Sequence, residues 1–150
     1  MFRIRALITA LAMAAACLVG GGASAAEKAA QQEGVHAVYH LSEGNDQASR
    51  ALQYVRNHLE VEPKAVIVLV GHAAGVDFLM KGAKTAKGNE FRSAIEDLDL
   101  AGVKFRVCEI TLRERGMKRE HFLPEARFVP SGVAEISRLQ QREGFAYLKP

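Results

Sequence analysis

Tryptophan is absent from the 150 residues, and cysteine occurs only twice, as Cys17 and Cys108. There is no run of Lys or Arg and no series of closely spaced aromatics. Neither the electrostatic footprint nor the stacking platform of a nucleic-acid binder is therefore present. With no Cys-x-x-Cys pair, thioredoxin-type dithiol chemistry is disfavoured. The segment "GHAAG" (71–75) is flanked by glycines but lacks the Lys-Ser/Thr step of a phosphate loop. His36 and His40 suggest a metal pair, yet four residues along a strand span about 13 Å, too far for one ion. The sequence leaves no metal ligand set and no cofactor motif.

What is present begins with a leader. "MFRIR" supplies two positive charges, "ALITALAMAAACLVG" follows without a charge, and "GGASAAEKAA" offers an Ala-x-Ala step at Ala23 and Ala25. These are the three parts of a secretory signal peptide. The apolar run is short of the roughly 20 residues a membrane span needs, so a retained anchor is the weaker reading. Cys17 raises a lipoprotein site, but Ala14, Ala15 and Ala16 lack the large aliphatic residue such sites carry. The expectation is a signal peptide over 1–25 cleaved after Ala25, a flexible tail over 26–34, a single domain over 35–150, and a periplasmic location. Removing Arg3 and Arg5 takes two from the formal charge of +3. The basic balance therefore belongs partly to the leader.

Downstream, periodicity gives the elements. "VHAVYHLS" (35–42) alternates and stops at "EGND", which predicts a first strand. Ala48, Leu52, Val55 and Leu59 follow at helical spacing, with Asn45 or Asp46 as cap and Pro63 as stop. "KAVIVLVG" (64–71) is continuously apolar from Ala65 to Val70, as a central strand covered on both faces should be. A turn and short helix in "HAAGVDFLMKGA", a solvated loop "KTAKGN", and a helix marked by Phe91, Ile95 and Leu98 lead to a third strand, "VKFRV". "ITLRERG" and "KREHFL" read as short helical pieces. "ARFVP" is a fourth strand, "SGVAEISRLQQREG" a capped helix with Val133, Ile136 and Leu139 on one face, and "FAYLK" closes the chain. Strands alternating with helices predict an α/β sandwich with a mostly parallel sheet. Such sheets bind ligands outside the carboxyl ends of their strands, and Cys108 sits at such an end.

Export would leave Cys108 alone in a compartment where cysteines usually pair. A lone cysteine is buried and inert, paired between chains, or reactive. Just ahead of a helix start it meets unsatisfied N–H groups and the positive end of the dipole, both of which favour the nucleophilic thiolate. Arg113 and Arg115 add positive potential, and Glu109 opposes it. Alternation puts Cys108 on the strand face of Lys104 and Arg106, which argues against deep apolar burial. A packed, inert thiol is the competing reading, because free Cys is among the most buried residue types. If strands two and three are neighbours, His72 lies about 5 Å across from the Cys108 end, within reach of a Cys–His pair. Its alternative is a turn histidine satisfied by backbone. Asn45 falls at the end of strand one, in the same row, where a helix N-cap is the simpler role.

The segments "VYHLSEGND", "VIVLVGHAAGVDFL", "AGVKFRVCEITLRERGM" and "FVPSGVAEISRLQQREGFAYLKP" resemble the DsrE-like proteins, in particular an exported branch, over residues 35–150. In the sulfur-relay members, the TusD-like and DsrE subunits, a Gly-Val-x-strand-Cys segment leads into a Leu-Arg-x-Arg-Gly-like helix, and the cysteine carries a persulfide. The resemblance implies that Cys108 is the sulfur-accepting position, with Thr111 among the residues around it. It also implies a three-layer α/β/α sandwich with a five-stranded sheet in the order 4-3-2-1-5, assembly into homo- or hetero-oligomers, and no cofactor. Two functions follow. One is a periplasmic persulfide carrier or sulfurtransferase whose partner is a sulfur donor or acceptor protein. The other is a non-catalytic oligomeric module that binds a small ligand or protein, its cysteine incidental. Access to Cys108 separates them.

Chain recovered from the periplasm is expected to begin at Ala26. Mass spectrometry that finds Met1 intact, or Cys17 diacylated, would reject cleavage after Ala25.

Overall fold

The computed structural model describes residues 34–150. The expected signal peptide, its cleavage point after Ala25, Cys17 and the tail as far as residue 33 lie outside the described residues. The apolar run from Ala65 becomes the middle strand of a five-stranded sheet. Strands β1 (His36–Leu41), β2 (Val66–Gly71), β3 (Lys104–Cys108), β4 (Ala126–Val129) and β5 (Ala146–Leu148) are all parallel, in the order β4-β3-β2-β1-β5. This is the expected α/β sheet and the expected strand order. Parallel strands need crossovers, which α1 (Asn45–Val61), α2 (Arg92–Leu100), α3 (Glu109–Glu114) and α4 (Gly132–Glu143) supply, together with 3₁₀ turns at Ala73–Leu79 and Arg119–His121. Among the described residues no helix is long and apolar enough to cross a membrane.

The two faces of the sheet are covered unequally. On one, Ala37, Tyr39, Leu41, Ile67, Leu69, Phe105 and Val107 pack beneath α1, α2 and the first 3₁₀ turn. Phe78 meets Phe91 and Phe105 edge-on there, with centroids 6.0 and 6.2 Å apart. Burying an aromatic of this size contributes about 1.5–3 kcal/mol, so this face carries most of the apolar stabilisation. On the other face Val38, Val68 and Val70 meet only Ile136, Leu139 and Phe145, a core supplied by α4 and the residues just after it. The remainder of that face is open to polar side chains.

Helix α4 is built as its sequence says at both ends. The Ser131 hydroxyl accepts from Ala134 N–H, and Gly144 takes the left-handed conformation at φ 70°. Its inward stripe differs from expectation: Val133 is 62% exposed. The buried residues are Gly132, Ile136 and Leu139, so the stripe starts on the glycine and Val133 is rotated out. At α1 the expected cap is also corrected. Gly44 is the N-cap, no side chain caps the helix, and Asn45 is its first helical residue. The entry is organised instead by Gln47, 1% exposed. Its Oε1 accepts from Ser42 and Glu43 N–H at 2.9 and 2.8 Å, and its Nε2 donates to the Pro150 carbonyl at 3.2 Å.

The glycines of "GHAAG" have a steric role. A Cβ on Gly75 would stand 2.2 Å from the Leu41 carbonyl oxygen, and one on Gly71 would stand 2.4 Å from the Gly75 oxygen. Only bare backbone lets the turn after β2 lie on the end of β1. Gly75→Ala is expected to lower stability by about 1–3 kcal/mol through this overlap. The check is a reduced urea midpoint at unchanged denaturant slope; an unchanged midpoint would reject the argument.

Candidate functional site

Cys108 ends β3 and is at once the N-cap of α3, so its sulfur lies where α3 presents free N–H groups. β4 neighbours β3, and the chain leaving β4 turns at Ser131 into α4, which brings a second helix start to the same place. Gly132 makes this approach possible. A Cβ there would meet Cys108 Cβ at 3.2 Å, His72 Cβ at 3.3 Å and the Gly71 carbonyl oxygen at 3.4 Å. Four donors surround the sulfur and favour its anion: the N–H groups of Gly132, Thr111 and Ile110 and the Thr111 hydroxyl. Burial pushes the Cys108 thiol up, the four donors led by Gly132 pull it down, and the donors win: the thiol ionises below its ordinary range.

Thr111 is positioned for this. Its oxygen accepts from Ala73 N–H at 2.9 Å, which leaves its one hydroxyl proton for the sulfur. Ala73 sits at φ 48°, in the left-handed region that costs a non-glycine residue about 1–3 kcal/mol. Helix α3 and its C-cap residue Arg115 hold it from both sides. Thr111 takes its N–H, and Arg115 Nη1 donates to its carbonyl at 2.9 Å while pairing with Asp77 at 2.6 Å.

Two expectations about Cys108 change. The strand face is as expected, but the thiol is only 4% exposed, because the start of α4 closes over it. The charged neighbours also do not act as expected. Glu109 is bound by Arg119, which lies 5.1 Å over the Phe128 ring, and Arg115 is committed to Asp77 and Ala73. Backbone dipoles and one hydroxyl, with no charge among them, set the thiol's acidity.

His72 follows β2 directly, and the pairing of Gly71 with Val107 sets it beside Cys108. Its Nε2 is taken up by a second imidazole. His72 Nε2 lies 2.7 Å from His40 Nε2, with ring centroids 4.8 Å apart and planes at 27°. His40 Nδ1 in turn lies 2.6 Å from the Tyr147 hydroxyl. Both imidazoles titrate below the usual histidine value. Burial is the main cause for each; His72 and Lys149 lower His40 further, against Glu43, and Lys149 lowers His72. Both shifts favour the neutral imidazole.

Cys108, Thr111 and His72 thus come together, whereas Asn45 is used elsewhere. Its Nδ2 donates to the Lys84 carbonyl at 3.1 Å, and its Oδ1 is buried without a partner. His36 packs tilted against Phe145, with ring centroids 4.9 Å apart, away from His40. Among the described residues no group of three His, Cys, Asp or Glu side chains is placed to hold a metal ion. Sequence reasoning missed Gly132, His40 and Tyr147. A capping serine followed by glycine after "ARFVP" was the available signal for the first. Alternation with Val38 was the signal for His40.

A model of the DsrE/DsrF-like family matches residues 9–150. Among solved structures, MTH1491, a protein of unknown function from Methanobacterium thermoautotrophicum, is 30% identical, with a TM-score of 0.69 over 77% of this chain and 99% of its own. The ychN protein from E. coli shares the fold, with a TM-score of 0.62 over 79% of this chain and 100% of its own at 15% identity. A search of curated proteins finds no match.

Gly132→Ala is expected to push the start of α4 off the sulfur and weaken the leading hydrogen bond to it. The thiol should then ionise at higher pH and alkylate more slowly at pH 7. The rate of iodoacetamide reaction against pH measures this, and a profile identical to that of the unaltered chain would refute the role given to Gly132.

Proposed function

The chain belongs to the DsrE/DsrF-like family, and from that premise we propose that it is a periplasmic sulfur carrier or sulfurtransferase in which Cys108 holds sulfane sulfur as a persulfide. The family is generally linked to sulfur relay. The observation that carries the proposal is the convergence of four hydrogen-bond donors from two helix starts on one thiol. A cysteine that merely fills space needs none of them. In the loading step the Cys108 thiolate attacks the outer sulfur of a persulfide donor. The new S–S bond forms as the donor's own S–S bond breaks, and the donor leaves as a thiolate. Cys108 is the only free cysteine among the described residues, so no resolving thiol there competes for the product. The same backbone donors remain in place for either sulfur anion.

The 4% exposure of Cys108 favours the second reading, a binding module with an incidental thiol. Self-association belongs to both readings. Val35 and Val66, joined by a backbone hydrogen bond, and Tyr147 and Leu148 on the edge strand leave apolar surface exposed to support it.

Incubation of the mature chain with a persulfide donor is expected to add the mass of one sulfur atom, and Cys108→Ser should abolish the gain while keeping the fold. If the native thiol neither gains sulfur nor reacts with iodoacetamide faster than a free model thiol, the carrier reading fails and the binding module stands.

A further inference from the structure

Four titratable side chains make a diagonal row across four adjacent strands. Cys108 ends β3, His72 follows β2, His40 lies on β1 and Tyr147 on the edge strand β5. Alternation sets them all on the α4 face. Val38 and Val70, two residues before His40 and His72, belong to the core under α4, and Tyr147 is in register with Val38. The row runs from a thiol that is 4% exposed to a tyrosine that is 41% exposed. Two of its three links are short hydrogen bonds, His72 Nε2 to His40 Nε2 at 2.7 Å and His40 Nδ1 to the Tyr147 hydroxyl at 2.6 Å. At the third link, the Cβ atoms of Cys108 and His72 both lie within 3.3 Å of the point a Gly132 Cβ would occupy. His40 engages the Nε2 of His72, and Nδ1, the ring nitrogen nearer the backbone, makes no other hydrogen bond among the described residues.

We propose that this row is a proton relay that carries the Cys108 thiol proton to solvent as the thiolate forms. A nitrogen–nitrogen hydrogen bond holds one proton, so the chain has two neutral arrangements. With Cys108 as a thiol, His72 Nδ1 bears a lone pair, His72 Nε2–H donates to His40 Nε2, and His40 Nδ1–H donates to the Tyr147 oxygen. On ionisation the thiol proton moves to His72 Nδ1. The Nε2 proton of His72 moves to His40 Nε2, the Nδ1 proton of His40 moves to the Tyr147 oxygen, and the original tyrosine proton leaves to water. One proton goes to solvent, one negative charge stays on sulfur, and no imidazolium is formed at the end. That matters because burial and Lys149 disfavour charge on both imidazoles. The other charged groups facing the row are already paired, Lys149 with Glu43 at 3.1 Å and Arg106 with Glu135. His72 and His40 are positioning residues in this scheme. It builds on the reactive-thiol reading of Cys108 but needs only ionisation of the thiol, not sulfur transfer.

The test is a pH titration of the full chain with ¹⁵N-labelled histidine. Long-range proton–nitrogen correlations distinguish a lone-pair nitrogen from an N–H nitrogen, and ultraviolet absorbance follows the thiolate in the same samples. The expected result is that His72 Nδ1 changes from lone pair to N–H at the thiol's own midpoint, with His40 exchanging tautomer in step. Cys108→Ser should lose both changes. A purely structural histidine pair would shift its signals through the nearby charge without exchanging tautomers. An unchanged His72 tautomer in the native chain, or the same exchange in Cys108→Ser, overturns the relay. Tautomer exchange without sulfur loading would keep the relay and reject the carrier function. Loading without exchange would do the reverse.

Discussion

Gly132 stands where α4 meets the sheet, and the space its side chain would fill is already held by Cys108, His72 and the Gly71 carbonyl. Everything distinctive about the carboxyl end of the sheet depends on that contact. It lets a helix start donate to the sulfur, and it closes solvent off from the thiol. It also fixes His72 against the same strand end. The turn after β2 obeys the same constraint from beneath, where Gly75 lies against the backbone of Leu41. Bare backbone on both sides of the strand ends compacts the site to a degree that side chains would forbid.

The electrostatics of the thiol follow from that compactness. A thiolate taken out of water loses solvation, and burial alone would make Cys108 a weak acid. Partners of formal charge are the usual remedy, yet here Glu109, Arg115 and Arg106 are each absorbed by another residue. Fixed N–H dipoles and a hydroxyl take their place. Dipoles built into helix starts need no reorganisation when charge appears, and salt screens them less than it screens exposed ions. The strained backbone of Ala73 belongs to this arrangement, since its N–H fixes the direction of the Thr111 hydroxyl.

What could be read from the sequence was local. The apolar run from Ala65 to Val70 identified the middle strand because a strand covered on both faces has no polar phase. Alternation put Cys108 on the correct face with Arg106. The strand order came from resemblance, because no residue pattern encodes which strand lies beside which. The failures are all non-local. Val133 satisfied the helical period as well as Gly132 does, and only the close approach to the sheet decides between them. Asn45 has the chemistry of a cap, but Gln47, reaching back to Ser42 and Glu43, organises the turn in its place. His40 was tested against His36 along its own strand, whereas its partner lies across the sheet on β2. Burial of Cys108 was invisible for the same reason: the residue that covers it is 24 positions away.

The unequal faces of the sheet give these facts one cause. A face packed by α1, α2, Phe78, Phe91 and Phe105 holds the strands in register and admits a polar group only where it is paired, as the Tyr39 hydroxyl is with His58. That stability frees the other face, where a single helix covers only three valines and leaves the strand ends for Cys108, His72 and His40. Polar groups there find partners in one another, across strands held near 4.8 Å apart. A second covering helix would bury the histidine row completely and make its polar atoms costly. A fully open face would let water compete for the sulfur's hydrogen bonds. One helix, entered through a glycine, meets both requirements: it shields the thiol at one end of the row and leaves the tyrosine at the other end in water.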